Sequence, residues 1–123
     1  MTMEGRCHCG ATGWTSRAAP RWATECNCSI CRRLGALWGH VPREGVTLHG
    51  ETAQRRGYVW GDGDLEFVAC ATCLCVTHWQ PRRGGDRMGL NLRMAPPEHL
   101  AALPVRRFDG AESWRFLDPE PGI

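Results

Sequence analysis

The sequence predicts a small, mainly-β domain that binds metal, and three observations carry the prediction. Short extended segments punctuated by glycine recur along the 123 residues. Helix-forming stretches are scarce. Eight cysteines fall in three tight groups, a pattern that points to metal binding or redox chemistry in a reducing compartment.

In chain order, EGRCHCGATGW predicts a strand, a cysteine-bearing turn and a returning strand. SICRRLG predicts one or two helical turns, with Ser29 as N-cap and Gly35 just past the end. QRRGYVW and DLEFVAC flank GDG, a strong hairpin turn because glycine and aspartate tolerate positive φ. CVTHWQ runs extended. In DRMGLNLRM, Met88, Leu90, Leu92 and Met94 alternate with Arg87, Gly89, Asn91 and Arg93, predicting a strand with one apolar face. PPEHLAAL predicts a second short helix opened by proline. VRRFDGAESWRF predicts a final hairpin around Asp109-Gly110, and the stretch from about 118 to 123 a loose tail.

One domain, 1–123, suits this length. No apolar run approaches the ~18 residues of a membrane span, so no membrane partner is expected. The N-terminal MTMEGRCHCG lacks a charged-then-apolar leader, which predicts a cytoplasmic protein. All fifteen basic residues are arginine. Without a lysine amine, Schiff-base chemistry and a P-loop are excluded. A net charge of +2 is too small to argue for a nucleic-acid partner. Ser16, Ser29 and Ser113 stand in no nucleophile-elbow context.

The cysteines carry the chemistry. Close spacing on a turn lets neighbouring sulfurs converge on one ion with little further loss of chain entropy. Tetrahedral zinc takes four thiolates at ~2.3 Å, usually as two pairs from distant parts of a chain. Cys7 and Cys9 with Cys70 and Cys73 make such a foursome. A structural zinc there would contribute folding free energy directly, ~10–16 kcal/mol in small peptides. Disulfides and an iron–sulfur cluster are the competing assignments. Cys26, Cys28 and Cys31 remain as three thiolates from one loop, leaving a coordination position open as in catalytic zinc sites. Alternatively Cys75 or His78 closes that shell, making a second structural zinc. A thiol-redox role for Cys70-Ala-Thr-Cys73 lacks the βαβ unit such motifs follow.

GRCHCGA, CNCSICRRLGALW, LEFVACATCLCVTHW and RMGLNLRM, in this order and spacing, resemble the glutathione-dependent formaldehyde-activating enzymes. The resemblance covers nearly the whole chain and implies a zinc-stabilised β-tent fold. By motif it implies a structural zinc on Cys7, Cys9, Cys70 and Cys73. It implies a second, catalytic Zn2+ on Cys26, Cys28 and Cys31, a site prone to partial occupancy. The implied activity joins glutathione to formaldehyde as S-hydroxymethylglutathione, a carbon–sulfur lyase-type reaction on a small thiol and a small aldehyde. The alternative is a non-catalytic zinc-binding interaction or thiol-carrier module. One departure stands out: Leu74 occupies the place where family members usually have glycine, which predicts a differently shaped metal knuckle.

Glutathione carries two carboxylates, which call for cations. Arg32, beside the three-cysteine loop, is the candidate for bidentate pairing. Asn91 is a candidate contact for a peptide ligand, and Trp38 a candidate cavity wall. The other tryptophans are read as core or hairpin packing. His78 is read first as a core residue, His40 as a surface one and His8 as pointing away from metal.

Overall fold

The computed structural model of the protein describes residues 2–122. β1 (Met3–Arg6) and β2 (Gly13–Ser16) form the expected hairpin around the first cysteines, with Gly5 opposite Trp14. β3 (Ala23–Cys26) runs into the second cysteine loop, which ends in the single turn α1 (Cys31–Leu34). Gly35 takes a left-handed φ of 64° there and donates its N–H to the Cys31 carbonyl, ending the helix as expected. The N-cap is Ile30 rather than Ser29, and no side-chain oxygen caps the turn. The Cys28 sulfur fills that role by accepting the Cys31 N–H at 3.4 Å.

β4 (Trp38–Pro42) and β5 (Val46–His49) follow, neither anticipated from sequence. β6 (Arg55–Val59) and β7 (Leu65–Cys70) make the GDG hairpin, and β8 (Val76–Pro81) adds antiparallel to β7. β9 (Arg87–Asn91), α2 (Pro97–Ala101) and β10 (Val105–Phe108) complete the chain. Two sheets result: β1-β2-β5, and a seven-stranded sheet in the order β10-β3-β4-β9-β8-β7-β6. This is the mainly-β fold with two short helices that the sequence predicted. Among the described residues, no helix is long and apolar enough to cross a membrane.

Two local expectations are corrected. The strand of DRMGLNLRM stops at Asn91, and Leu92–Met94 forms a 3-10 turn. Gly89 and Asn91 are also buried, because β9 is a central strand between β4 and β8. The terminal segment forms no hairpin beyond a single bridge between Phe108 and Phe116. Instead β10 pairs parallel with β3, placing Phe108 beside Cys26. Asp118 then ties the following segment back: its carboxylate accepts from the Arg107 N–H and guanidinium at 2.7 and 2.9 Å.

The main core lies between the sheets, where Met3, Trp14, Val41, Leu90 and Leu92 pack together. Trp14, fully buried on the small sheet, donates its indole N–H to the Thr77 carbonyl of β8 at 3.0 Å. One side chain thus supplies apolar area and a polar tie between the sheets. Replacing Trp14 with phenylalanine should destabilise the protein by about 1–3 kcal/mol, since it leaves a buried carbonyl unpaired and a small void. Denaturant unfolding of the metal-loaded variant reads this directly; a loss below ~0.5 kcal/mol would show that the tie is not structural.

Candidate metal centres

The first cluster joins the β1–β2 turn to the end of β7. Cys7, Cys9, Cys70 and Cys73 bring their sulfurs within 4.8 Å of one another. Cys9 Sγ lies 3.7 Å from Cys7 Sγ and 3.6 Å from Cys70 Sγ. Four sulfurs at ~2.3 Å from a tetrahedral centre would be ~3.8 Å apart. The spacing therefore fits a metal of zinc's size, and it lies far outside the ~2.05 Å of a disulfide. All eight cysteines are unbridged. The Thr12 N–H donates to Cys7 Sγ at 3.3 Å. The Cys9 N–H, followed by that of Cys75, pulls the Cys73 thiol down to about 5. Preorganised N–H groups of this kind favour thiolate and hence metal.

Leu74 adopts the conformation that a glycine would take. Its φ is 69°, its side chain is 74% exposed, and its N–H closes the turn on the Cys70 carbonyl at 2.9 Å. The knuckle keeps a left-handed residue after Cys73 despite the substitution, at a local cost of roughly 1–2 kcal/mol. Cys75 sits beside this cluster. The His8 N–H lowers its thiol, but burial and the charges of Cys73 and Cys7 outweigh that and raise it.

The second cluster is Cys26, Cys28 and Cys31, at the end of β3 and the start of α1. Among the described residues it gathers no fourth cysteine, histidine or carboxylate. Neither alternative ligand reaches it. Cys75 stands with the four-cysteine cluster, and His78 is buried on β8, hydrogen-bonded through Nδ1 to Thr77 Oγ1 at 2.8 Å.

Several groups support the three sulfurs. The buried Trp38 donates its indole N–H to Cys31 Sγ at 3.3 Å. Cys31 itself, then the N–H groups of Cys28 and Gly110, hold the Cys26 thiol down to about 6 against the penalty of burial. Asn27 locks the loop to the C-terminal turn, donating to Asp109 Oδ1 at 3.0 Å and accepting from the Ala111 N–H at 2.9 Å. A Cβ on Gly110 would stand 2.6 Å from Cys26 Sγ, so this approach requires glycine. Sequence reasoning missed Asn27, Asp109 and Gly110 because their partnership depends on the parallel β10–β3 pairing.

The cluster lies in a cleft of about 760 Å³. Five of the six tryptophans line it, namely Trp22, Trp38, Trp60, Trp79 and Trp114, together with all three phenylalanines. Trp14 lies in the core as expected, and Trp79 packs against a second core cluster that includes the buried Trp38. Gly89 opposes Trp79 across β8–β9, and a Cβ there would overlap the indole, so the ring lies flat over β9. His40, expected at the surface, lines the cleft against Trp79 with ring centres 5.7 Å apart. Burial first, then the Arg87 charge, push it down to about 4 and keep it neutral at pH 7.

Of the sequence-predicted contacts, Trp38 is at the cleft. Arg32 is exposed on α1 and does not line it. Asn91 does not line it either. Its Nδ2 donates to the Val76 carbonyl at 2.8 Å and its Oδ1 accepts the Arg93 N–H, so both ends of the amide serve backbone. A larger surface hollow of about 1010 Å³, beside His40 and Arg87, contains neither cysteine cluster.

Fold and sites define a class: a small mainly-β protein with one closed four-thiol cluster and one open three-thiol cluster, both able to hold metal. The family profile of the glutathione-dependent formaldehyde-activating enzyme matches residues 2–101, and the chain belongs to that family. Among solved structures it is similar to a crystal structure of a Rhodobacter sphaeroides protein, with 28% identity and a TM-score of 0.69. That likeness covers 84% of this chain and 99% of the other. Among curated proteins, none matches.

Gly110→Ala should displace Cys26 and empty the second centre while sparing the first. Zinc per purified chain, measured by atomic absorption, should fall from about two towards one with the circular dichroism unchanged. Full retention of both ions would show that Gly110 does not shape the site.

Proposed function

We propose that the protein adds a thiol reversibly to a small aldehyde, with glutathione as the thiol that the family implies. In this reading Cys26, Cys28 and Cys31 hold a catalytic zinc, and Cys7, Cys9, Cys70 and Cys73 a structural one. The observation that carries it is a half-buried three-thiol cluster that lines a cleft and, among the described residues, has no fourth side-chain ligand. Cys26, Cys28 and Cys31 would hold a zinc with one position left for an exchangeable ligand, and its charge would favour the ionised form of an incoming thiol at neutral pH.

The chain's own contribution is positioning and charge. The Trp38 N–H on Cys31 and the Gly110 N–H on Cys26 spread the negative charge of the ligand set into fixed dipoles. The rings around the cluster make its surroundings less polar than water, which strengthens those dipoles. In the net reaction a sulfur–carbon bond forms, the carbonyl π bond breaks, and the thiol proton ends on oxygen. No oxidant or reductant is needed. Aldehydes of this kind accept thiols unaided, so holding both reactants together supplies most of the acceleration. The reverse reaction is a carbon–sulfur lyase step, and a reducing cytoplasm suits the unbridged thiols.

Cys31→Ser tests the assignment. It should abolish acceleration of S-hydroxymethylglutathione formation while the four-cysteine zinc and the fold persist. Addition at the wild-type rate by this variant would overturn the mechanism.

A further inference from the structure

The aromatic cleft exceeds what the proposed reaction needs from its smallest substrate. Formaldehyde has one carbon and one oxygen, and cannot engage rings contributed by β4, β7, β8, β10 and the loops around them. The rest of the lining is mostly uncharged. Apart from the cysteines, the ionisable side chains are the neutral His40, the single cation Arg87, and the two acids Asp62 and Asp64. So few charges leave most of the wall to an uncharged, apolar group.

Part of the aromatic wall lies outside the segment that matches the family. The family match ends at residue 101, whereas Phe108, Trp114 and Phe116 come from the segment beyond it. That segment is built to hold its place. The buried Arg106 is sandwiched between Trp22, 4.5 Å from the ring centre, and Phe116, at 3.8 Å. Asp109 accepts the N–H groups of Glu112 and Ser113, and its carbonyl accepts that of Trp114 at 2.8 Å.

Trp114 is the telling residue. It takes a left-handed φ of 58°, costly for a bulky residue, yet its side chain is 74% exposed. Among the described residues its ring partner is Phe108, edge-on at 5.4 Å. Trp60, across the cleft lining, is 41% exposed. Indoles displayed in this way, beside a three-thiol cluster, await a flat apolar partner.

We propose that the aldehyde handled at the three-cysteine centre is an aromatic one, whose ring packs among the cleft's indoles while its carbonyl carbon meets the thiol. The inference rests on the thiol–aldehyde reading above and names its substrate class. Atoms balance as before: the sulfur bonds to the carbonyl carbon and the thiol proton passes to oxygen, giving an aryl hemithioacetal. The C-terminal segment acts as the specificity wall.

The test uses zinc-loaded protein with 2-naphthaldehyde and its unreactive alcohol, 2-naphthalenemethanol. Calorimetric titration with the alcohol should saturate at one site, and Trp114→Ala should weaken binding about tenfold. Trp60→Ala serves as the second variant should Trp114→Ala lose its zinc. With glutathione as thiol, 2-naphthaldehyde should be accelerated over the uncatalysed rate more than formaldehyde is. Absent binding, or equal binding by a zinc-loaded variant, overturns the inference; formaldehyde acceleration in the same preparation would leave the thiol–aldehyde reading standing. Binding without acceleration of either aldehyde overturns both that reading and the substrate assignment.

Discussion

The sulfur cluster at Cys7, Cys9, Cys70 and Cys73 is the constraint on which the rest depends. Thiols held 3.6–3.7 Å apart repel one another once ionised, and only a shared cation makes the arrangement favourable. Such a cation would fasten the β1–β2 hairpin to the end of the β7 strand, which are far apart in sequence. The Trp14 bond to the Thr77 carbonyl and the core around it then lie under a closed corner. A domain of this size has little apolar area to spare, so a metal clamp would supply what a larger core otherwise provides.

The two clusters differ because of what surrounds them. The first is framed by two turns that face each other, and each supplies a pair of sulfurs. The second draws all its sulfurs from one loop, and its remaining side opens on the cleft. Support comes from a different quarter, the Asp109–Gly110 turn, which touches the loop through Asn27 and Gly110. A segment at the end of the chain is thereby part of the site near its beginning.

What was legible in the sequence was local. Cysteine spacing, the GDG turn, Gly35 after its helix and Pro97 opening α2 all act within a few residues, so their meaning survives without a fold. What was hidden depends on long-range pairing. The cleft tryptophans at 22, 38, 60, 79 and 114 share no period and meet only when their strands are ordered in one sheet. Asn91 looked available because its strand alternates, but a central strand buries both faces and the 3-10 turn after it claims the amide. Ser29 failed as a cap because the Cys28 sulfur took its place. Leu74 was read as a departure in shape, whereas the chain pays for the same turn in backbone strain.

The central claim is that the three-cysteine centre keeps a position for an outside sulfur while the four-cysteine centre does not. Cobalt in place of zinc makes this visible, because each thiolate entering the shell adds to the sulfur-to-metal charge-transfer absorption. Titrating glutathione into protein with cobalt at both centres should raise those bands saturably, to an end point of about one thiol per chain. Unchanged bands with both centres filled would contradict the account.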